Sequence, residues 1–372
     1  MINGVDLTVY SASGVYLGEV RTFMQLRQMV ERFPEKVFDA GDKKARVDGG
    51  GFCFEFDSTI QFQDICKTWN GYMNYPTSDR SKENSHMSSQ ADLHMHSTAS
   101  DGTDTPSQLA EKVRAANIRI FAITDHDTVM GAEQLKNYPS DGLIFIHGIE
   151  FSCRMDSGKC HILGYGCDAS HPEFRAVIEK GAALRRAKLE RRLVLLRERG
   201  IHIPDEELKQ LRKIQSVGKP HLANLMVRLG YARDRKDAIE NIINPCRTES
   251  SRIQAETAVR AIAVAGGIPV WAHPLGGEGE KDISPEQFAI MLDELIRYGL
   301  LGIECFYSKY PLNRCEELAQ AAQSRGLLIS GGSDYHGTNK SIALGTLNAD
   351  GAAISLERLT ILRALGEREK FT

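Results

Sequence analysis

The chain has 372 residues, of which 42% are hydrophobic and 26% are charged. These proportions exclude a fibrous or wholly disordered protein, and the length predicts one large domain accompanied by a smaller one. The formal net charge of -3 at pH 7 provides no overall basic field, so we expect no nucleic-acid partner beyond short oligonucleotides.

Targeting signals and cysteines indicate the cellular setting. No apolar run reaches the roughly 18 residues of a membrane span, and the amino terminus lacks the basic-then-apolar pattern of a signal peptide. We therefore expect a cytoplasmic protein with no membrane partner. The eight cysteines contain no CxxC pair, which argues against a zinc ribbon or a disulfide framework and favours reduced thiols.

Residues 1–84 are predicted to form a small α+β domain. Residues 6–20 suggest a β-hairpin, residues 22–33 an amphipathic helix, and residues 51–57 an alternating strand. The polar residues 85–90 are then a linker. No chemical motif occurs before this linker, and the triplet Ser85-His86-Met87 resembles the trace of a cloning site, so the domain is either a natural accessory domain or a fusion partner.

Residues 91–372 alternate between short β-rich segments and helical patterns. Seven segments are candidate strands: ADLHMHS, IRIFAITDHD, LIFIHGIE, CHILGYG, GIPVWAHP, LLGIECF and LLISGGSDYH. Helical segments lie between them, and Thr105 followed by Pro106 predicts a capped helix start. This alternation predicts an α/β protein with a β/α barrel.

One stretch, residues 173–256, contains no convincing strand and carries apolar residues at helical spacing. We interpret it as a helical cap inserted into the barrel. Its basic segment, LRRAKLERRLVLLRERG, is predicted to be a solvated amphipathic helix rather than a nucleic-acid contact.

The chemistry is expected where the strands end, because the active site of a β/α barrel lies at the carboxyl ends of its strands. Polar residues occur there in most of the predicted strands: His94 and His96, Asp125 and His126, Glu150, His273, and Asp334 with His336, while His161 lies near the start of the fourth. Alternate residues of a strand share a face, so His94 and His96 can reach one ion, and Asp334 and His336 repeat the spacing.

A multinuclear metal site explains this set of residues best. A single buried histidine is more often a hydrogen-bonded core residue, and we assign Cys160 and Cys305 to packing. Eight or more ionisable groups at one barrel mouth would be costly to bury unless metal charge compensated them. Imidazole and carboxylate together suit zinc, manganese or iron, and a carboxylate can bridge neighbouring ions.

The motifs DLHMHSTASDG, ITDHDTVMGA, GIEFS, HILGY, GKPHLA, WAHP and GGSDYHG follow one another between residues 91 and 346. In combination and order they resemble the polymerase and histidinol phosphatase (PHP) family of phosphoesterases. The resemblance implies a distorted seven-stranded β/α barrel and two or three divalent ions of manganese, iron or zinc.

The resemblance also implies three ligand sets. They are His94, His96, Glu150 and Asp334 for one ion, Glu150, His161 and His273 for a second, and Asp101, His126 and His336 for a third. Glu150 would bridge two ions. Lys219, which stands where many relatives have arginine, and His221 would bind substrate.

The predicted reaction is hydrolysis of a phosphate ester by a hydroxide that the metal cluster generates, with Glu150 and Asp334 as catalytic residues. The favoured substrate is a small phosphorylated metabolite, phosphoribosyl 1,2-cyclic phosphate. A nucleoside 3',5'-bisphosphate phosphatase or a 5'-3' oligoribonuclease is the alternative, and a non-catalytic metal-binding module is a third. The oligomeric state is not predicted.

Overall fold

The computed structural model describes residues 7–11, 16–20, 37–39, 44–48, 52–56 and 89–368, except for residues 137, 139–141, 279 and 280. Contacts within the chain divide it into two units, Met1–Asn84 and Ser85–Thr372. Each unit contains a β-sheet of its own.

The first unit contains a five-stranded antiparallel sheet. Its strands are β1 (Leu7–Ser11), β2 (Tyr16–Val20), β3 (Val37–Asp39), β4 (Lys44–Asp48) and β5 (Phe52–Phe56), in the order β2-β1-β5-β4-β3. β1 and β2 pair as the hairpin that the sequence predicts, and β5 is the predicted alternating strand. The helix predicted over residues 22–33 lies outside the described residues, as do residues 85–88 of the linker.

Ser89 and Gln90, the last two residues of the predicted linker, belong to the second unit. The backbone N–H of Ser89 donates to the carbonyl of Gly345 at 3.1 Å, and its hydroxyl accepts from the N–H of Ile354 at 3.0 Å. Ser89 is buried by these contacts. The folded part therefore begins before Ala91, because these polar groups pair with backbone near the end of the chain.

The second unit is built around a mixed, nearly closed barrel. Its strands are β6 (Ala91–Asp92), β7 (Ile120–Ile123), β8 (Ile144–Met155), β9 (Gly158–Tyr165), β10 (Ile253–Gln254), β11 (Ile268–Trp271), β12 (Gly302–Tyr307) and β13 (Leu328–Gly332). Seven of them follow the order β13-β12-β11-β9-β8-β7-β6. Only β9 runs antiparallel to its neighbours along this path. The predicted α/β barrel of seven strands is confirmed.

The barrel closes where β6 approaches β13. The N–H of Leu93 donates to the carbonyl of Gly331 at 3.1 Å, and the N–H of Asp334 donates to the carbonyl of His94 at 2.8 Å. A Cβ atom on Gly332 would lie 2.3 Å from Cβ of His94, so only glycine permits this approach. The closure brings the segments that contain His94 and Asp334 side by side.

Helices connect and cover these strands. They are α1 (Pro106–Ala115), α2 (Met130–Gln134), α3 (Pro172–Glu198), α4 (Asp205–Lys213), α5 (Lys219–Arg228), α6 (Arg235–Asp237), α7 (Ala255–Val264), α8 (Pro285–Tyr298), α9 (Leu312–Ser324) and α10 (Ile361–Glu367), with a π-helical turn over Ala238–Ile243. Thr105 and Gln108 form the expected cap of α1, each side chain bonding the backbone N–H of the other. None of the described helices has the length and apolar character that crossing a membrane requires.

Helices α3 to α6 occupy the stretch predicted as a cap, and they contribute to an apolar cluster that includes Leu189, Leu196, Leu222 and Met226. Two details of the prediction were wrong here. β10 lies inside the stretch and pairs with β8, but two residues are too few to show a periodicity. Arg192, in the helix expected to be solvated, is only 6% exposed.

The third barrel strand is longer than predicted. β8 continues past Glu150 to Met155 and pairs with β9 as an antiparallel hairpin that turns at Asp156 and Ser157. Glu150 therefore lies in the middle of a strand rather than at its end. The extension pairs Glu150 with Leu163 of β9, which is two residues from His161 along that strand.

Candidate metal centre

The nine predicted metal ligands meet at one end of the barrel. Seven of them line a cavity of about 200 Å³: Asp101, His126, Glu150, His161, His273, Asp334 and His336. His94 and His96 are fully buried and contact Glu150 and Asp334. Groups of three or four of these side chains place their donor atoms within 4.8 Å of one another.

The first expected ligand set converges on one point. Nε2 of His94 lies 3.4 Å from Oε2 of Glu150 and 3.5 Å from Oδ1 of Asp334. Nε2 of His96 lies 3.2 and 3.3 Å from the same two oxygens. Donor atoms that share an ion at about 2.1 Å are separated by about 3 to 3.5 Å, so this arrangement suits a single divalent cation.

The two carboxylate oxygens of Glu150 face different histidines. Oε1 lies 2.9 Å from Nδ1 of His161 and 3.1 Å from Nε2 of His273, and these two nitrogens are 3.3 Å apart. Oε2 lies 2.9 Å from Nδ1 of His126 and close to His96. One carboxylate therefore borders two groups of nitrogen donors, which is the geometry of a bridging ligand.

The third expected set surrounds Asp101. Its Oδ1 lies 3.3 Å from Nε2 of His336 and 3.9 Å from Nε2 of His126. His96 also approaches Oδ1 of Asp101, with Nδ1 at 3.8 Å, so the structure adds a fourth side chain to this group.

Buried side-chain nitrogen and oxygen atoms without a hydrogen-bond partner indicate whether ions fit this cluster. Within the nine predicted ligands, five side-chain atoms form no hydrogen bond although they are inaccessible to solvent: Nε2 of His94, Nε2 of His96, Oδ1 of Asp101, Nδ1 of His126 and Oε2 of Glu150. Buried polar atoms are normally paired, and here all five face the expected ion positions. The residues present therefore fit divalent cations, and ligation by each of them stays a prediction.

Two predicted ligands lie on backbone that favours glycine. His273 and Asp334 have φ angles of 28° and 57°, and Asp127 beside the site has 51°. Such conformations cost free energy in residues with a side chain and persist where the surrounding structure holds them. Since β13 ends at Gly332, Asp334 and His336 do not have the strand geometry that their spacing suggested. The left-handed turn, rather than a pleat, directs them to the cluster.

Burial and charge set the protonation of the ligands. Burial raises the pKa of Glu150, but the neighbouring imidazoles, with His126 foremost, outweigh it and hold that pKa well below its usual range. Burial lowers the pKa of His161 to about 4, and burial together with His96 does the same for His336. Near neutral pH these groups are an ionised carboxylate and two neutral imidazoles, which are the forms that bind metal.

A second layer of side chains, which the sequence did not identify, holds the ligands. Nδ1 of His94 lies 2.9 Å from Oε1 of Glu304, and the hydroxyl of Tyr307 donates to Oδ2 of Asp334 at 3.0 Å. Nζ of Lys340 is 2.5 Å from the same Asp334 oxygen. Glu304 and Tyr307 are single polar residues, 210 and 27 residues from their partners, whereas Lys340 lies only six residues after Asp334.

Asp125, which ends the second strand, has a supporting role. Its Oδ1 accepts hydrogen bonds from the Ser97 N–H and the Ser100 hydroxyl, and its Oδ2 accepts from the Ser97 hydroxyl. These bonds fix the loop that follows His96. The carboxylate is thereby engaged away from the ligand groups.

The structure separates the two residues that were predicted to bind substrate. Lys219 begins α5 and its Nζ bonds Oδ1 of Asn244 at 2.7 Å, outside the cavity of the cluster. His221 accepts the N–H of Gly218 at its Nδ1, 3.0 Å away, and so forms part of the start of α5. Burial lowers the pKa of His221, whereas Asp101 acts in the opposite direction. A contact of either residue with substrate stays a prediction.

Comparisons with known proteins agree with this geometry. A family model described as the PHP domain matches residues 92–202. A phosphoribosyl 1,2-cyclic phosphate 1,2-diphosphodiesterase from Eggerthella lenta is 30% identical over 254 residues, which cover 66% of this chain and 94% of that protein. The chain belongs to the PHP family. It is a metal-dependent phosphoesterase, as the resemblance of its motifs predicted.

Other PHP relatives differ in the activities for which they are named. A 5'-3' exoribonuclease from Haemophilus influenzae is 28% identical over 67% of this chain and 91% of its own length. A 3',5'-nucleoside bisphosphate phosphatase from Chromobacterium violaceum is 28% identical over 66% of this chain and 86% of its own length. The family is therefore shared by relatives that are named for different phosphate esters.

Two solved structures share the fold. An amidohydrolase from Chromobacterium violaceum with bound sulfate superposes with a TM-score of 0.64 and 26% identity, covering 76% of this chain and 98% of that one. A protein from Bifidobacterium adolescentis described as a metal-dependent phosphoesterase gives a TM-score of 0.63 and 27% identity, covering 75% and 96%. Both neighbours support the barrel, and the description of the second agrees with metal dependence.

Proposed function

We propose that this chain hydrolyses phosphoribosyl 1,2-cyclic phosphate or a similar small phosphorylated metabolite with two or three divalent ions of manganese, iron or zinc. The observation that carries the proposal is the group of unpartnered buried donor atoms beside a cavity of about 200 Å³. A cavity of this size suits a compact ester better than a duplex. This chain covers 94% of a relative that is named for the cyclic ester.

The nine ligands would hold the ions, with Glu150 as the bridge. Divalent ions in such a site activate water and neutralise charge on a phosphoryl group. Asp334 would be kept ionised and oriented by its contacts with Tyr307 and Lys340. Burial and the adjacent Asp334 carboxylate raise the pKa of Tyr307, so its hydroxyl remains a donor to Asp334.

Cations on the cavity wall would bind the substrate phosphate. Lys340 lines the cavity, and the carboxylate of Asp334 overcomes the effect of burial and raises the pKa of Lys340, so its ammonium group stays charged. Arg235 also lines the cavity, where its Nη1 donates to the carbonyl of Asn339 at 2.6 Å and its Nε has no hydrogen-bond partner. A substrate oxygen could accept from that nitrogen.

Hydrolysis by metal-loaded protein, measured by chromatography of the products, would test this function, because opening a cyclic ester or cutting RNA into nucleotides releases no inorganic phosphate by itself. The substrates are phosphoribosyl 1,2-cyclic phosphate, a nucleoside 3',5'-bisphosphate and a short 5'-phosphorylated RNA, with the Glu150→Ala variant as the inactive control. We expect the highest kcat/KM with the cyclic ester. Failure of the wild type to hydrolyse the cyclic ester would contradict the proposal.

A second candidate function, hydrolysis of a nucleoside 3',5'-bisphosphate or of RNA from its 5' end, is favoured by the names of two relatives. The same ligands and wall cations would serve it. A higher kcat/KM with the bisphosphate or the RNA than with the cyclic ester would favour this candidate.

A further inference from the structure

The cap helices contact the loops that carry the third predicted ligand set, Asp101, His126 and His336. All three of these residues lie outside the extended strands of the barrel. Their positions therefore depend on what holds those loops, and a metal ligand needs such support to keep its donor atom in place. His94, by contrast, is held from within the barrel, by Glu304 of β12.

Asn339 joins two of these loops to each other. It lies three residues after His336, and its backbone N–H donates to the carbonyl of His336 at 3.3 Å. Its side-chain Nδ2 donates to the carbonyl of Asp101 at 2.7 Å. Asn339 also lines the cavity of the metal centre. This one residue therefore fixes the Asp101 loop against the turn that carries His336.

Other hydrogen-bonding groups of Asn339 face the cap. Its Oδ1 accepts from Nδ2 of Asn224 in α5 at 3.2 Å, and its carbonyl accepts from Nη1 of Arg235 in α6 at 2.6 Å. Neither of these two cap residues is a predicted metal ligand. Two cap helices thus hold the residue that holds Asp101, so a displacement of the cap would loosen the Asp101 loop.

The cap also reaches the residue that follows His126. Oδ2 of Asp127 pairs with the guanidinium group of Arg185 in α3, and Oδ1 accepts the N–H of Ser152 at 2.9 Å. Asp127 has a φ angle of 51°, a conformation that persists where surrounding contacts hold it. A Cβ atom on Gly181 of α3 would lie 3.5 Å from Cβ of Asp127, so the helix packs against this turn. Each member of the third set is therefore bonded to, or next to, a residue that the cap contacts.

We propose that ion affinity at the third position depends on the contact between the cap and the barrel, and that Asn339 is the positioning residue that couples them. The proposal rests on the ligand sets of the proposed function and gives the cap a role in metal binding. Because a coupling between two sites is reciprocal, an ion bound at the third position would in turn hold the cap against the barrel.

Metal titrations of chelator-treated protein test this coupling without relying on activity. Bound manganese is measured by elemental analysis after equilibrium dialysis over a range of free Mn²⁺ concentrations, and Asp101→Asn identifies the ion equivalent that belongs to the third set. We expect Asn339→Ala to raise the Kd of that equivalent about tenfold to a hundredfold and Asn224→Ala about twofold to tenfold. The Kd of the other equivalents should not change. Asn313→Ala is the matched control, because Asn313 is exposed on α9, outside the cap.

The double variant separates a positioning role from a general loss of stability. If α5 acts through Asn339, Asn224→Ala should have no further effect in the Asn339→Ala background. An unchanged Kd in either single variant would overturn the proposal, as would additive effects or an equal loss of all ions. If Asp101→Asn releases no ion, the ligand set of the proposed function is itself wrong, and the coupling is refuted with it.

Hydrogen exchange tests the reciprocal effect. Manganese should slow amide exchange in α5 of the wild type, because the bound ion holds Asp101 and, through Asn339, the cap. Asn339→Ala should lose most of this metal-dependent protection, whereas Asn313→Ala should retain it. Exchange in α5 that does not respond to manganese in the wild type, or that responds equally in Asn339→Ala, would refute the coupling.

Discussion

Glu304 contacts His94 at Nδ1, 2.9 Å away, and leaves Nε2 of the same ring facing Glu150 and Asp334. The other oxygen of Glu304 accepts the backbone N–H of His273 at 2.7 Å. One buried carboxylate therefore orients two predicted ligands that are distant in sequence.

Replacing this carboxylate should weaken metal binding without removing a ligand. In Glu304→Gln we expect metal affinity or activity to fall about tenfold to a hundredfold, because partners behind a ligating histidine set its orientation and basicity. Metal titrations of chelator-treated protein measure the effect, with the exposed Glu317→Gln as control. An unchanged affinity would mean that the backbone alone fixes His94.

Removing the bridging carboxylate should empty two ion positions together. Glu150→Ala is expected to abolish activity and to lower the bound metal by two equivalents, since its oxygens border two groups of nitrogen donors. Elemental analysis of metal-replete protein checks this, with the exposed Glu179→Ala as control. Loss of a single equivalent would contradict the bridge.

Phosphate binding in the basic pocket, the cavity lined by Arg185, Lys188, Arg192, Lys219 and Arg252, should weaken as the pH rises through 8. The pKa of Lys188 is lowered to about 8 by burial and by the charges of Arg192, Arg185, Arg252 and Lys219, so the amine loses its proton above that pH. Phosphate affinity should then fall by up to about tenfold per pH unit, whereas affinity near pH 7 is retained. Calorimetry with chelator-treated protein measures the slope, and Lys188→Met should abolish most of it. A wild-type slope that survives in this variant would assign the titration elsewhere.

The lowered pKa of Lys188 also determines whether the folded state gains or loses stability as the pH rises. Between about pH 8 and 10.5 the unfolded chain binds more protons at Lys188 than the folded chain does, so folding becomes more favourable as the pH rises. Below about pH 8, bound phosphate should offset the destabilising effect of the charged, partly buried Lys188. Thermal unfolding at pH 7 should therefore show a higher Tm in phosphate than in chloride of equal ionic strength.

Residues 1–84 should be dispensable for catalysis. The matched ligands all lie in the second unit, and Ser89 anchors the beginning of its described part through Gly345 and Ile354. A chain that starts at Ser85 is expected to keep its metal content and kcat. Circular dichroism provides the folding control. A folded, metal-loaded but inactive product would show that the first unit takes part in the reaction.

The sequence predicts local features of this structure better than contacts between residues that are distant in the chain. Strand segments carry short-range patterns and were located correctly, and the side chains of His94 and His96 lie close together as their spacing indicated, whereas their binding of metal stays a prediction. Glu304 was missed because it is one acid in an apolar strand, 210 residues from its partner His94. Only the closed barrel reveals that pairing.

The basic pocket shows the same limit. Two of its arginines, Arg185 and Arg192, were interpreted as part of a solvated amphipathic helix, since charge spacing alone does not say which side chains a neighbouring helix covers. Arg192 is buried because it lies between Leu189 and Leu196 on the face of α3 that packs against the other cap helices. Lys219 was noticed through its motif, but the sequence did not associate it with Lys188 or Arg252.

The left-handed backbone at His273 and Asp334 places stability in conflict with metal binding. Glycine would be the most stable residue there, but it offers no side chain to bind a metal. Glycine at either position would relieve the conformational cost and destroy the ligand in a single step. A substitution that abolishes activity can therefore raise the free energy of unfolding of the apoprotein above that of the wild type. An assay of folding or abundance alone would score such a variant as improved. Backbone stability and metal binding therefore favour different residues at these two positions.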